Sequence, residues 1–83
     1  MMDIAVVHAP FSDDQTQALN TYQRLGQFHP YTCGGERDDV EHHLYAAAQH
    51  HHDTGMLVAI KTGLLCPVCG YLQTWAHAMI ANR

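Results

Sequence analysis

Basic residues are scarce in this sequence, and so is charge of any kind. Only 14% of the 83 residues are charged, with four Lys or Arg against eight Asp or Glu. The basic residues are scattered, whereas proteins that grip nucleic acid by its phosphates present clustered Lys and Arg. The composition therefore disfavours nucleic-acid binding, and eight acidic residues are too few to imitate the charge of DNA.

Long hydrophobic runs are missing as well. No stretch approaches the roughly 18–20 apolar residues of a membrane span. The opening "MMDIAVV" has no basic segment of the kind that begins a signal peptide. We therefore expect a cytoplasmic protein without membrane contact, in which cysteine thiols stay reduced.

Cysteine is rare, and its count is odd. Three cysteines, Cys33, Cys66 and Cys69, cannot form a closed set of disulfides. The hydrophobic fraction of 47% nevertheless indicates a compact globule. At this length an apolar core alone leaves only roughly 3–5 kcal/mol of stability, so small proteins are commonly stabilised further by a cross-link such as a disulfide or a bound metal ion. We expect one domain, stabilised by such a cross-link, over residues 1–83.

Two segments have the pattern of helices. "FSDDQTQALNTYQRLG" offers Ser12 as the N-cap with Gln15 three residues on, an apolar face at Ala18, Leu19, Tyr22 and Leu25, and Gly26 at the C-terminal end. "DDVEHHLYAAAQHH", about 38–51, carries a modest apolar stripe of Val40, Leu44, Ala47 and Ala48. It lies in a histidine-rich insertion of about residues 36–55.

Three further segments complete the prediction. Residues 4–7 form a short apolar run that favours a strand ending before Pro10. "MLVAI-KTG-LLCPVCGY" has the shape of a β-hairpin, with two apolar runs around a turn that carries Gly63. "LQTWAHAMIANR" is expected to close the chain as a helix with Leu72, Trp75, Ala76 and Met79 on one face. The predicted class is α+β: a small zinc-ribbon-like β-hairpin packed with two to three helices.

The ribbon prediction comes from two similar loops. "HPYTCGG" (29–35) and "CPVCGY" (66–71) each combine a proline, a Cys–Gly step and a second residue able to bind metal. Zinc prefers four ligands in a tetrahedron, drawn from Cys thiolate and neutral His, and two such loops supply them. The predicted zinc ligands are His29, Cys33, Cys66 and Cys69.

The fourth ligand is the open point of this set. His77, on the closing segment, is the alternative to His29, and His42 or His43 are further candidates. The histidine-rich insertion carries His42, His43, His50, His51 and His52. A solvated helix face that gains charge below about pH 6.5 explains these better than a second metal site.

Other interpretations of the cysteines are weaker. Cys33 as a buried apolar residue beside two inert thiols leaves the matching loops unexplained. "CPVC" resembles a redox dithiol, but such motifs follow the first strand of a βαβ unit and not the end of a chain. A catalytic zinc is disfavoured because H-x-E…P-C-x-x-C and H-E-x-x-H are both missing.

The two loops and their flanks resemble a group of known sequences. "QALNTYQRLGQFHPYTCGG" and "LVA…GLLCPVCGYLQTWAH" are similar to small proteins of phages and their bacterial hosts that share an HPxTCG loop and a CPxCxYxQxWAH close. The resemblance covers roughly residues 15–35 and 56–79 and not the histidine-rich insertion. It implies a bound zinc ion, candidate ligands at His29, Cys33, Cys66 and Cys69 with His77 in the shared close, and location in the host cytoplasm.

The leading functional prediction is a non-enzymatic protein-interaction module stapled by zinc. In a phage setting its partner would belong to host machinery, with inhibition of a defence system as a specific version. The alternative is a zinc-ribbon accessory protein that binds nucleic acid, stacking bases on Trp75, Tyr71 and Tyr31. A metal-dependent nuclease fragment is the third and weakest hypothesis.

Overall fold

The computed structural model describes residues 5–25, 30–51 and 53–82, in which three helices and five strands form an α+β protein. In chain order the elements are β1 (Val6–His8), α1 (Asp13–Leu25), α2 (Val40–Ala48), β2 (Val58–Ile60), β3 (Gly63–Leu65), β4 (Leu72–Gln73), β5 (Trp75–His77) and α3 (Ala78–Ala81). The predicted α+β class is confirmed. Within the described ranges, no helix is both long and apolar enough to pass through a bilayer.

The strands form two small antiparallel sheets. One has the order β2-β3-β4, and the predicted hairpin is its first half, with Val58 opposite Leu65 and Ile60 opposite Gly63. The other pairs β1 with β5, so that Val7 lies opposite Ala76. The early strand was predicted over 4–7 and is described over Val6–His8.

Helix α1 begins as predicted. The Ser12 N–H donates to Gln15 Oε1 at 2.9 Å, and the Gln15 N–H donates to Ser12 Oγ at 3.1 Å, which is a reciprocal capping box. The helix buries Leu19, whereas Leu25 of the predicted apolar face is 53% exposed. Gly26, predicted to end the helix, lies outside the described residues.

Two polar side chains of α1 complete backbone hydrogen bonds that no strand supplies. The Asn20 side chain accepts a hydrogen bond from the Ala59 N–H and donates one to the Ala59 carbonyl. It thereby occupies the outer edge of β2. Gln23, 4% exposed, accepts from the Tyr31 N–H and donates to the carbonyls of Tyr31 and Leu57. Helix α1 thereby fixes the loop that leads into Cys33.

The apolar core is small. Its largest fully buried side chains are those of Phe11, Leu19, Leu57 and Leu64, and Cys33 and Cys66 belong to the same cluster. Because the cysteines pack among the apolar residues, the core and the cysteine site are continuous.

The predicted closing helix is wrong over most of its length. Leu72 and Trp75 lie in strands β4 and β5, and only Ala78–Ala81 is helical. Pairing with β1 accounts for the difference, because β5 bonds along Val6–His8 before the chain turns into α3. Strands of two or three residues are too short to show a period of two against the helical period of 3.6.

Helix α2 is shorter than predicted, and it faces the other way. It spans Val40–Ala48, with only His42 and Ala46 buried. The apolar stripe lies outside: Val40 is 71% exposed and Leu44 66% exposed. A polar residue, His42, therefore takes the place in the interior that the apolar stripe was expected to fill.

Candidate metal centre

Four side chains from three separate segments converge beside the core. The ligand atoms of Cys33, His42, Cys66 and Cys69 all lie within 4.8 Å of one another. Cys33 follows the segment that Gln23 holds, His42 lies in α2, and Cys66 and Cys69 follow β3. Cys33, His42 and Cys66 are buried, and Cys69 is exposed.

The spacing of these atoms suits a tetrahedral ion. Cys33 Sγ lies 3.5 Å from Cys69 Sγ, and Cys66 Sγ lies 3.5 Å from His42 Nε2. Zinc bonds of about 2.3 Å to sulfur and about 2.0–2.1 Å to nitrogen place tetrahedral ligands about 3.8 Å apart for two sulfurs and about 3.6 Å for sulfur and nitrogen. These two pairs lie within about 0.3 Å of the tetrahedral values, the whole group lies within 4.8 Å, and the described residues form no disulfide at this site. The set can hold a metal ion as three thiolates and one imidazole.

The first loop is attached to the chain just before β2. The Cys33 N–H donates to the Gly55 carbonyl at 2.7 Å, the Leu57 N–H donates to the Tyr31 carbonyl at 3.1 Å, and Thr32 forms an antiparallel bridge with Met56. This short ladder places Cys33 beside the hairpin that ends at Cys66.

The second loop is a tight turn closed by its own backbone. The Gly70 N–H donates to the Cys66 carbonyl at 2.9 Å, and the Cys66 N–H donates to the Tyr71 carbonyl at 2.7 Å. Gly70 has φ of 82°, a conformation that side chains other than glycine's disfavour. Glycine at this position lets the chain turn back towards the sulfurs.

Both loops aim a backbone N–H at a sulfur two residues earlier. The Gly35 N–H donates to Cys33 Sγ at 3.4 Å, and the Tyr71 N–H donates to Cys69 Sγ. The loops also touch, since a Cβ on Gly34 would come within 2.6 Å of the Tyr71 hydroxyl oxygen. The two similar loops of the sequence therefore form two similar turns around one centre.

His42 is oriented by a carboxylate on its own helix. Asp39 is the N-cap of α2, and its Oδ1 accepts both from the His42 backbone N–H at 2.9 Å and from Nδ1 at 2.6 Å. The bond fixes the ring so that Nε2 points at the sulfurs. A carboxylate on the far nitrogen is the usual support of a metal-binding histidine.

The same contacts set the proton affinities of the chain without metal. The hydrogen bond to Asp39 raises the pKa of His42 to about 9, and burial raises the pKa of the Cys33 thiol to about 11. The Tyr71 N–H lowers the pKa of the Cys69 thiol to about 7. The Asp39 carboxyl has a lowered pKa because it accepts from the His42 N–H. A metal ion bound here at neutral pH must displace protons from Cys33 and His42.

Three of the four predicted ligands lie together in the structure. His29 lies outside the described residues, so its assignment stays a prediction. His77 is not in the group: its Nδ1 lies 2.8 Å from the Tyr31 hydroxyl, and its backbone N–H donates to the same oxygen at 2.9 Å. The residue that joins the cysteines is His42, one of the minor candidates.

The sequence contains one short signal that distinguishes His42 from the other histidines. Asp39 precedes it by three residues at the start of a helix, the spacing at which an N-cap carboxylate reaches both the backbone N–H and the imidazole. Its neighbours His43 and His50 are exposed, as expected for a solvated face, and His52 lies outside the described residues.

The chain matches no protein-family model, no curated protein and no solved structure.

Proposed function

We propose that the protein is a small structural-zinc protein that acts as a non-enzymatic protein-interaction module. The observation that carries the proposal is the group Cys33, His42, Cys66 and Cys69, whose ligand atoms lie within 4.8 Å of one another. Thiolates and an imidazole in a tetrahedron favour Zn²⁺ over the hard cations, which prefer oxygen. The two loops with their N–H···S bonds support a zinc-ribbon type of centre.

Four protein ligands argue for a structural ion. Catalytic zinc keeps one position open for water or substrate, and here Cys33, Cys66 and His42 are also buried. The carboxylate of Asp39 is already bonded to His42. Four ligands from the described residues would fill a tetrahedron, so we assign the site no reaction.

Contact with another protein is the function that the surface supports best. Besides the stripe on α2, the outward face of the three-stranded sheet is apolar. Val58, Ile60 and Leu72 are 37%, 36% and 41% exposed, and Leu65 lies between Val58 and Leu72 in the strand register. Contiguous apolar surface of this kind commonly marks interaction sites. From the resemblance to phage proteins, we propose that the partner belongs to a bacterial host, with its defence machinery as a specific case.

Nucleic-acid binding is less well supported. Of the three aromatic residues proposed to stack on bases, Tyr31 is bonded to His77 and Tyr71 lies against Gly34. Trp75, 38% exposed, packs edge-on against Tyr31 and His77. These rings are engaged within the protein, and no basic cluster accompanies them.

The metal half of the proposal is tested by elemental analysis. Protein purified without nickel chromatography, which the histidines would confound, is expected to contain one zinc per chain that survives gel filtration. Less than about half an equivalent after growth and lysis with zinc present would contradict a structural zinc site.

The interaction half is tested by capture from bacterial lysate. Zinc-loaded protein is expected to retain a stoichiometric protein partner, while metal-stripped protein with alkylated cysteines serves as the control. A partner that binds both forms equally would show that the zinc fold is not what is recognised, and the lack of any stoichiometric partner would argue against the module.

A further inference from the structure

The apolar stripe of α2 (Val40, Leu44, Ala47, Ala48) is a helix face without a partner in the described protein. At about 100° per residue, Val40 and Leu44 point away from His42, the buried residue between them. Both are more than 60% exposed, and the two alanines are exposed as well. A single exposed leucine is ordinary, but here the whole apolar face of an amphipathic helix lies in solvent.

Exposed carboxylates precede this stripe along the chain and lie beside it on the helix. Glu36, Asp38 and Glu41 are exposed, and within residues 5–25, 30–51 and 53–82 no Lys or Arg forms an ion pair with any of them. The nearby Arg37 is turned away and donates to the Thr54 carbonyl at 3.1 Å. Together with Asp39, these three residues make up half of the eight acidic residues in the sequence.

A second copy of the chain fits this surface poorly. The nine-residue helix is about 13.5 Å long, so its face is much smaller than the roughly 800 Å² per partner of a stable interface. Pairing two such faces would also bring two carboxylate clusters together, on chains that each carry a net charge of −4. A partner of opposite charge is favoured.

We propose that the α2 stripe and its carboxylate border dock a segment of a partner protein that presents apolar side chains flanked by Lys or Arg. The apolar residues of the segment cover Val40 and Leu44, and its cations pair with Glu36, Asp38 and Glu41. This inference rests on the proposed interaction function and names the surface and the partner chemistry.

The metal centre presents this surface. His42 and Ala46 are the two buried residues of α2, so a metal bond to His42 Nε2 is the main attachment that holds the helix with its stripe outward. Docking is therefore expected to require the metal-loaded protein.

The test is selection from an unbiased library of displayed 16-residue peptides on the zinc-loaded protein. The enriched peptides are expected to place Leu, Ile or Val between Lys or Arg residues. A synthetic peptide of the consensus sequence should lose about tenfold or more in affinity with Leu44→Gln and with Glu41→Lys. Glutamine keeps good helix propensity, and each variant is first checked for bound zinc.

Two matched controls separate this surface from others. Ile60→Thr removes an apolar side chain from the outer sheet face, and Asp14→Lys reverses a charge on α1; both are expected to leave peptide affinity unchanged. Loss of binding with Ile60→Thr but not with Leu44→Gln would overturn this inference. The interaction function would then be retained, with the outer sheet face as the binding surface. The inference also fails if no peptide is enriched, if the enriched peptides are acidic or uncharged, or if Leu44→Gln converts a stable dimer into monomers.

Discussion

At the scale of single residues, the main result is the identity of the histidine beside the cysteines. Both ends of the imidazole of His42 are occupied: Nδ1 by Asp39 and Nε2 by the sulfur of Cys66. His77 has its own partner in Tyr31. A metal site built on His42 uses side chains whose ligand atoms already lie within 4.8 Å of one another.

The ligand assignment predicts that one histidine substitution weakens zinc binding and another does not. His42→Ala is expected to weaken zinc binding by more than the about 10–100-fold that loss of an outer-shell partner costs, because it removes a ligand. His77→Ala should keep zinc affinity within a few-fold. Competition against a chromophoric chelator measures both, with His29→Ala alongside. A His29 variant that loses zinc while His42→Ala keeps it would restore the assignment made from sequence.

Asp39 has two roles that one substitution separates. Asn is as good an N-cap as Asp, so Asp39→Asn is expected to preserve α2 while removing the charge that supports His42. Zinc affinity should fall about 10–100-fold with little change in helix content by circular dichroism. An affinity equal to that of the parent protein would show that the carboxylate serves only as a cap.

The pKa values of the ligands predict how zinc binding depends on pH. The pKa of Cys33 is about 11 and that of His42 about 9, so both carry protons at pH 7 and release them to the metal. Each proton released adds a factor of ten for each unit of decreasing pH, so these two alone make the dissociation constant rise at least about 100-fold per unit between pH 8 and 6. The sign is the same for an unfolded chain, whose thiols have a pKa of about 8.5. Calorimetry in buffers of different ionisation enthalpy counts the protons, and a pH-independent affinity would contradict the ligand set.

At the scale of elements, the sequence predicted what local chemistry decides. Helix α1 has its capping box, and the β2–β3 hairpin has its glycine turn, because both signals lie within a few residues of each other. The mistakes are long-range: β5 pairs with β1, and α2 turns His42 inward, where its Nε2 lies 3.5 Å from the sulfur of Cys66, 24 positions along the chain. Periodicity identified the α2 stripe correctly and could not tell which side of the helix the body of the protein would occupy.

The edge of β2 offers a test at this scale. Asn20 serves both backbone groups of Ala59 that a neighbouring strand would otherwise serve. Asn20→Ala is expected to lower the free energy of unfolding by about 1–3 kcal/mol at saturating zinc, because it leaves a donor and an acceptor without partners. Gln17→Ala, on the exposed side of α1, is the control for helix propensity. Equal denaturation midpoints for the two variants would rule out this role for Asn20.

At the scale of the whole molecule, a zinc ion bound at the cysteine site would outweigh the core. Few large side chains are fully buried, whereas a structural zinc site contributes apparent free energies on the order of 10–16 kcal/mol at neutral pH. Folding and metal binding would then be parts of one equilibrium. The three cysteines could be recognised from sequence because their loops repeat, whereas His42 had only the short Asp39 spacing to distinguish it from the other histidines.

Metal removal is therefore expected to unfold the protein and not merely to inactivate a surface. Excess chelator should abolish the helical circular dichroism signal, and added zinc should restore it. Cys66→Ser, at a position with no solvent exposure, should reproduce the loss without chelator. A native-like spectrum in either experiment would show that the metal is peripheral to folding.

The order in which the ligands occur along the chain has a consequence for biosynthesis. Cys33 and Cys69 are 36 positions apart, and among the described strands β1 pairs with β5. If these cysteines hold a metal ion, a ribosome exposes the first thiol well before the thiols that would complete the coordination sphere, so the nascent chain could not close the centre while the insertion is being translated. During that interval Cys33 would depend on the reducing capacity of its surroundings, and we expect the yield of native protein to depend on cellular redox state and zinc supply as well as on its own stability.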